Sequence, residues 1–158
     1  MQYTPLISGG LALSVIPSDD ANIPYPNKFA EGISLNSSSD QIIDAGQTFK
    51  STVNVGDIVY NTTTLDAATV INVVSDTELT LNAGVMTTGD SYIVYCGSGI
   101  CEDARGGCVI RVNATGNVTV TTMSGEIVLF TVQAGEYLPV RVTKVAAGAT
   151  ATGIVAIW

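Results

Sequence analysis

The chain has 158 residues, of which 46% are hydrophobic and only 13% are charged, and its net charge is −8 at neutral pH. Residues 1–103 hold twelve acids and two lysines, whereas residues 104–158 hold four basic and two acidic side chains. An acidic chain without a basic, aromatic-interleaved stripe is not expected to bind nucleic acid. No apolar run approaches the roughly 20 residues that span a bilayer, so no membrane contact is expected.

The low share of charged residues favours an oligomer. Soluble domains usually carry about a quarter of charged residues, so a monomer of this composition would expose large uncharged areas. Such areas usually mark partner surfaces. The first positive charge is Lys28, so the chain start lacks the basic segment of a signal peptide, and we expect assembly in a cytoplasm.

In chain order, ten short segments have the alternation or β-branched content of strands. They are residues 11–16, 58–61, 68–74, 78–81, 91–96, 108–113, 118–122, 127–132, 140–145 and 153–158. Helical periodicity is nearly missing, and turn residues recur between the segments. This pattern predicts an all-β protein with an antiparallel, jelly-roll-like β-sandwich, because parallel crossovers would need helices.

The segments between the predicted strands suggest how the chain is organised. Two prolines in residues 23–26 exclude a central strand there, which predicts a surface arm or linker. Residues 40–95 contain enough short strands for a small barrel. In residues 116–122, the valines Val118 and Val120 share one face, so that face is expected to be core, and the opposite face is wet or contacts a neighbour.

The residues for common catalytic chemistry are missing. The chain has no histidine, which excludes a Ser-His-Asp or Cys-His arrangement. Two acid doublets remain, Asp19-Asp20 and Glu102-Asp103, but neighbours on a strand point to opposite faces and do not make a facing pair. A calcium site at Asp19-Asp20 is less favoured than a polar turn. We predict no catalytic residue, cofactor or metal.

Three cysteines, Cys96, Cys101 and Cys108, lie in one glycine-rich stretch. Their spacing is unlike that of zinc sites, and four ligands cannot be assembled from cysteine and histidine. We interpret them as reduced thiols in a buried loop. A bridge between Cys96 and Cys101 is the alternative, although disulfides are rare in reducing compartments.

Four sequence blocks share a recognisable pattern: residues 15–19 (VIPSD), 116–122 (GNVTVTT), 135–142 (GEYLPVRV) and 151–158 (ATGIVAIW). Together they resemble the spike-base proteins of tailed phages and gene transfer agents. In that family the first block leads after a short arm into the other three. The resemblance implies a trimeric β-sandwich attached to other virion proteins, and it supplies no catalytic residues.

In this chain the blocks are interrupted, which predicts an inserted module. Its residues 49–95, with VGDIVYN at 55–61 and SDTELTL at 75–81, are similar to a small β-module of marine phage structural proteins. The expected domains are therefore residues 1–27, an N-terminal arm and first sandwich strand, residues 28–101, an inserted small β-barrel, and residues 102–158, the remainder of the sandwich.

These features predict a non-enzymatic structural protein of a tailed-phage virion, assembled in the host cytoplasm. We expect a homotrimeric capsid decoration or cement protein that docks on the major capsid protein or other virion proteins. The alternative is a spike or fibre base at a vertex or tail, whose module recognises a host-surface glycan. Tyr60, Tyr92 and Tyr95 could then form its stacking surface.

The predicted docking residues are in the positively charged third part of the chain. Arg111 and Arg141 sit between apolar neighbours, which places them opposite the core and favours them over Arg105 in its glycine-rich loop. Lys144 adds a further charge. Trp158 ends an apolar strand and is expected to pack against the sandwich or a neighbouring subunit, and residues 1–6 are an uncharged arm.

Overall fold

The computed structural model of the chain describes residues 11–97, 101 and 106–158. Its regular elements are twelve strands and one four-residue helix, and all strand pairs are antiparallel. The predicted all-β class is confirmed. The elements are β1 (Ala12–Ser14), β2 (Tyr25–Ile33), β3 (Gln41–Ile43), α1 (Phe49–Thr52), β4 (Ile58–Asn61), β5 (Asp66–Ser75), β6 (Glu78–Leu81), β7 (Ser91–Cys96), β8 (Val109–Arg111), β9 (Gly116–Thr122), β10 (Ile127–Val132), β11 (Val142–Val145) and β12 (Val155–Ile157).

The first and last parts of the described chain form a sandwich of two three-stranded sheets. Their strand orders are β1-β12-β8 and β10-β9-β11. Both sheets contribute to one apolar core, with Ile110 and Ala156 from the first sheet and Val118 and Val120 from the second, all fully buried. The sheets meet where the backbones of Cys108 and Val142 exchange hydrogen bonds of 3.0 and 2.9 Å. This arrangement is consistent with the predicted sandwich.

The middle part forms one six-stranded sheet in the order β2-β7-β4-β5-β6-β3. Its core is built on one face around Val59, Val94 and Phe49, the first residue of α1. The predicted closed barrel is not confirmed, because β2 and β3 form the two edges of the sheet. A hydrogen bond of 2.8 Å from the Leu35 amide to the Ile43 carbonyl joins the segment that follows β2 to the end of β3.

The prediction for the proline-containing segment is partly wrong. Residues 23–26 are not a surface arm, because Ile23 is buried in the sandwich core and its amide donates to the Thr143 carbonyl at 2.8 Å. Strand β2 begins at Tyr25 and includes Pro26. Proline is tolerated there because β2 is an edge strand, and its register shifts next to Pro26.

A small third cluster connects the two parts. In this junction cluster, Leu13 and Ile16 of the N-terminal segment pack with Ile58 and Tyr60 of β4. Strand β4 is therefore buried on both faces. The two ends of the middle part lie side by side, since Tyr25 pairs with Cys96. The domain boundaries themselves stay a prediction.

Because the two large cores share no residue, we expect the sandwich to fold without residues 28–101. Replacing these residues with a short Gly/Ser linker should leave a β-sheet circular dichroism spectrum and a cooperative thermal transition. Stability should fall by about 2 kcal/mol, because Leu13 and Ile16 lose their apolar cover. Complete loss of structure would show that the two parts depend on a common core.

Candidate functional site

The sheet β10-β9-β11 presents an apolar outer face. Ile127 and Leu129 are 73% and 63% exposed, although large aliphatic side chains are usually buried. Their cross-strand partners in β9 are Thr121 and Thr119, so the four side chains lie together on the side away from the core. We call these four residues the outer face. Exposed apolar side chains that lie together in this way usually mark surfaces that contact a partner.

The alternation of β9 explains why this face exists. Val118 and Val120 point into the core and are fully buried. Because side chains on a strand alternate, the residues that pair with Thr119 and Thr121 must point outward. The sequence itself indicates an apolar outward face. A strand with one solvent-exposed face usually alternates apolar and polar residues, and the run Ile127–Val132 does not.

Arg111 occupies the position predicted for it, on the face opposite the core. Its neighbours Ile110 and Val112 are fully buried. The guanidinium carbon lies 5.9 Å from the ring centre of Tyr137, and Nη1 donates to the Asn113 side chain at 2.6 Å. Stacking of this kind pre-orients an arginine without neutralising it.

Arg141 is exposed just before β11. Its Nη1 donates to the backbone carbonyls of Gly106 and Gly107 at 3.1 and 3.3 Å. Among the described residues the one ion pair joins Lys28 and Glu31 in the module. The charges of Arg111 and Arg141 are therefore not cancelled by a described carboxylate.

Lys144 and Trp158 are more engaged than the two arginines. The Lys144 ammonium donates to the backbone carbonyl of Asp19. Trp158 is partly buried against the sandwich core, as predicted, and its ring meets Tyr25 edge-on at 5.5 Å. Both side chains thus hold the N-terminal segment against the sandwich.

The structure does not bring the four predicted docking residues together. Arg111 belongs to the sheet β1-β12-β8, whereas Lys144 pairs with Thr121 on the outer face of the opposite sheet. Arg105 and residues 1–6 lie outside the described residues. Sequence reasoning did not single out Tyr137 beside Arg111, since a contact across a loop leaves no periodic signal.

The suggested carbohydrate-stacking surface is wrong. Tyr60 and Tyr92 are only 4% and 1% exposed. Tyr92 donates its hydroxyl to the Asp44 carboxylate at 2.8 Å inside the module, and the ring of Tyr60 packs edge-on against Tyr95. Burial raises the pKa of both phenols. Aromatic rings buried in this way cannot stack on a sugar.

Asp19 and Asp20 form a polar turn that ties the chain together. Asp19 Oδ1 accepts a hydrogen bond of 3.1 Å from the Ala147 amide. The Asp20 carbonyl accepts hydrogen bonds from the side chains of Thr69 and Asn82 in the module. The second doublet, Glu102-Asp103, lies outside the described residues.

The cysteines differ from the prediction of three reduced thiols. Cys96 and Cys101 form a disulfide, with their Cα atoms 6.0 Å apart, and Cys108 is a buried free thiol. Burial raises the pKa of the Cys108 thiol to about 12, and the charge of Arg141 offsets only part of this rise. The thiol therefore stays protonated, and unreactive, well above neutral pH.

In residues 11–97, 101 and 106–158, no group of three or more potential metal ligands comes together. Within the same residues no helix has the length and apolar character needed to cross a membrane. A scan against protein-family models, a search of curated proteins and a search of solved structures found no match.

We predict that the folded protein at pH 8 shows no reactive thiol towards an aromatic disulfide reagent. Unfolding without reductant should release one thiol, that of Cys108, and unfolding with reductant should release all three. Because burial raises the pKa of Cys108 in the folded protein, its thiol should stay protonated and unreactive at pH 9 as well. Three reactive thiols after unfolding without reductant would contradict the disulfide.

Proposed function

We propose that this chain is a non-enzymatic structural protein of a tailed-phage virion, a trimeric capsid decoration or cement protein. The observation that carries the proposal is where the four phage-like sequence blocks lie. Each block contributes buried residues to the sandwich core, among them Val15, Val118, Leu138 and Ile154. Blocks that are separated by the long middle part of the chain thus contribute to one core, and this supports the proposal.

The outer face supports self-association. Two large aliphatic side chains that are more than half exposed cost free energy in water, and each contributes about 1.5–3 kcal/mol when a partner covers it. A homotrimer built through the sandwich would remove Ile127 and Leu129 from solvent. The middle part would then be free to project from the particle.

The charge distribution supports docking through the sandwich. Residues 28–97 hold two lysines and eight acids, a net charge of −6, whereas residues 106–158 have three basic and two acidic side chains. An acidic surface on the major capsid protein or another virion protein would attract the sandwich and repel the module. Assembly would take place in the host cytoplasm, with the Cys96–Cys101 disulfide forming after the particle leaves that reducing compartment.

The alternative, a spike or fibre base that recognises a host-surface glycan, receives less support because Tyr60 and Tyr92 are buried. Copy number separates the two positions in the particle. A quantitative gel of purified particles should show many copies for a decoration protein and few for a vertex or tail protein.

We expect sedimentation of the isolated protein at micromolar concentration to give a mass of three chains or a multiple of it. Ile127→Asp should shift the equilibrium towards smaller species, because the carboxylate would have to be buried at the contact. Ile71→Asp is the matched control, since Ile71 is 51% exposed in the module. A well-folded monomer of the unmodified chain would rule out the trimer.

Particle binding should depend on Arg111 and Arg141. The double variant Arg111→Glu/Arg141→Glu should bind purified particles more weakly, by a factor that shrinks as salt is raised, because exposed charges are screened over about 10 Å at 0.1 M. Lys28→Glu/Lys50→Glu makes the same charge change in the module and should bind normally. Equal occupancy by both double variants at low salt would mean that docking is not electrostatic.

A further inference from the structure

Strand β10 has one unpaired edge. Among the residues that the structure describes, its only partner is β9, and the sheet order places it at the end of its sheet. The Thr122 amide donates to the Glu126 carbonyl, so residue 126 and every second residue after it turn their backbone groups towards β9. In an antiparallel ladder the residues between them turn outward. The N–H and C=O groups of Ile127, Leu129 and Thr131 therefore face the open edge.

The other edges of the described sheets are protected. Strand β2 contains Pro26, the Lys28–Glu31 ion pair and two register shifts. Strands β1, β3 and β8 have three residues each. Strand β11, at the other end of the β10 sheet, has a register shift against β9, and its Thr143 carbonyl accepts a hydrogen bond from the Ile23 amide. Prolines, charges, irregular register and short length are the usual devices that keep edge strands from pairing with other chains. Strand β10 has six uncharged residues in unbroken register with β9, so it has none of them.

We propose that β10 pairs antiparallel with β10 of a second copy of this chain, with Leu129 opposite Leu129 of that copy. The pairing rests on the self-association in the proposed function and names a contact within it. It places Ile127 opposite Thr131 of the second copy. In this register all the outward N–H and C=O groups of the three residues find partners.

The register follows from the two faces of the strand. Directly opposed residues in a ladder point to the same face, so an outward residue must meet an outward residue. Among such registers, centring the pair on Leu129 gives all three outward residues of β10 a partner within β10 of the second copy, and it places Val128 opposite Phe130 on the core side. The exposed Leu129 side chains then contact each other, and the partly buried Phe130, which packs on the sandwich core, gains apolar cover.

A second copy fits this edge because of its charge and its pattern. The strand has no charge and its part of the chain, residues 106–158, has a net charge of +1, whereas the module has −6. Two copies that meet at β10 therefore join their least charged parts. A second β10 strand offers a matching partner, since it is uncharged and its one polar residue is Thr131.

This contact has two-fold symmetry, because the same surface is used by both copies. It differs from the three-fold contact of the outer face, which uses side chains and leaves the backbone edge open. Two trimers would therefore be joined where β10 of one trimer pairs with β10 of the other.

The test is disulfide trapping in the full chain. In a hydrogen-bonded antiparallel pair the Cα atoms are about 5.5 Å apart, within the range that a disulfide bridges. Under mild oxidation, Leu129→Cys should give a two-chain species on a non-reducing gel. Ile127→Cys alone should not, but a mixture of Ile127→Cys and differently tagged Thr131→Cys should give a mixed two-chain species. The unmodified chain, oxidised in parallel, controls for its own cysteines.

The outcomes separate this pairing from the proposed function. Failure of Leu129→Cys to cross-link, or equal cross-linking of Ile127→Cys alone, overturns the pairing, and a trimeric mass of the unmodified chain in sedimentation leaves the trimer standing. A cross-linked dimer of Leu129→Cys, with no three-chain species in sedimentation of the unmodified chain, supports the pairing and overturns the trimer. A monomer without cross-links means that another chain or segment covers the edge. Circular dichroism checks the fold of each variant, and replacing Leu129 should preserve the fold because its side chain is 63% exposed.

Discussion

The alternation of strand β9 is the constraint on which the surface of the sandwich depends. Burial of Val118 and Val120 between the two sheets sets which side of β9 faces inward. Its neighbours β10 and β11 must follow the same alternation, since paired residues share a face. A shift of one residue would bury Thr119 and Thr121 and expose the valines, so the register is strongly specified.

The same alternation places apolar side chains of β10 in solvent. Strand β10 is apolar on both faces, and only one of them can reach the core. The other carries Ile127 and Leu129 into solvent. Because β10 is also the last strand of its sheet, the side chains and the backbone edge are exposed at the same place. A protein built for assembly gains from this overlap, whereas a monomer would risk aggregation.

The middle part of the chain is attached by contacts that are few but varied. The junction cluster buries the second face of β4, and Ser18 donates its hydroxyl to the Ala67 carbonyl at 2.9 Å. The turn at Asp19-Asp20 reaches both parts, through Ala147 on one side and Asn82 on the other. These directional hydrogen bonds orient the module on the sandwich, while each part retains its own core.

Local patterns were enough to predict the all-β class and ten of the strands, with β4, β6, β7 and β10 at the bounds found. Strands β2 and β3 were missed because their residues are mixed or few, and pairing with β7 and β6 makes them strands. The sequence also placed Arg111 opposite the core, since the side-chain period of a strand is a local property.

Only the tertiary structure decided which strands are edges, and which side chains a distant segment covers. Tyr60 is buried because Leu13 and Ile16, far away in the chain, pack on its face of the sheet. Likewise β10 has an open edge because no described strand pairs beyond it. Periodicity determines which face a residue occupies, but neighbours in a sheet come from distant parts of the chain, and their order leaves no mark on either strand alone.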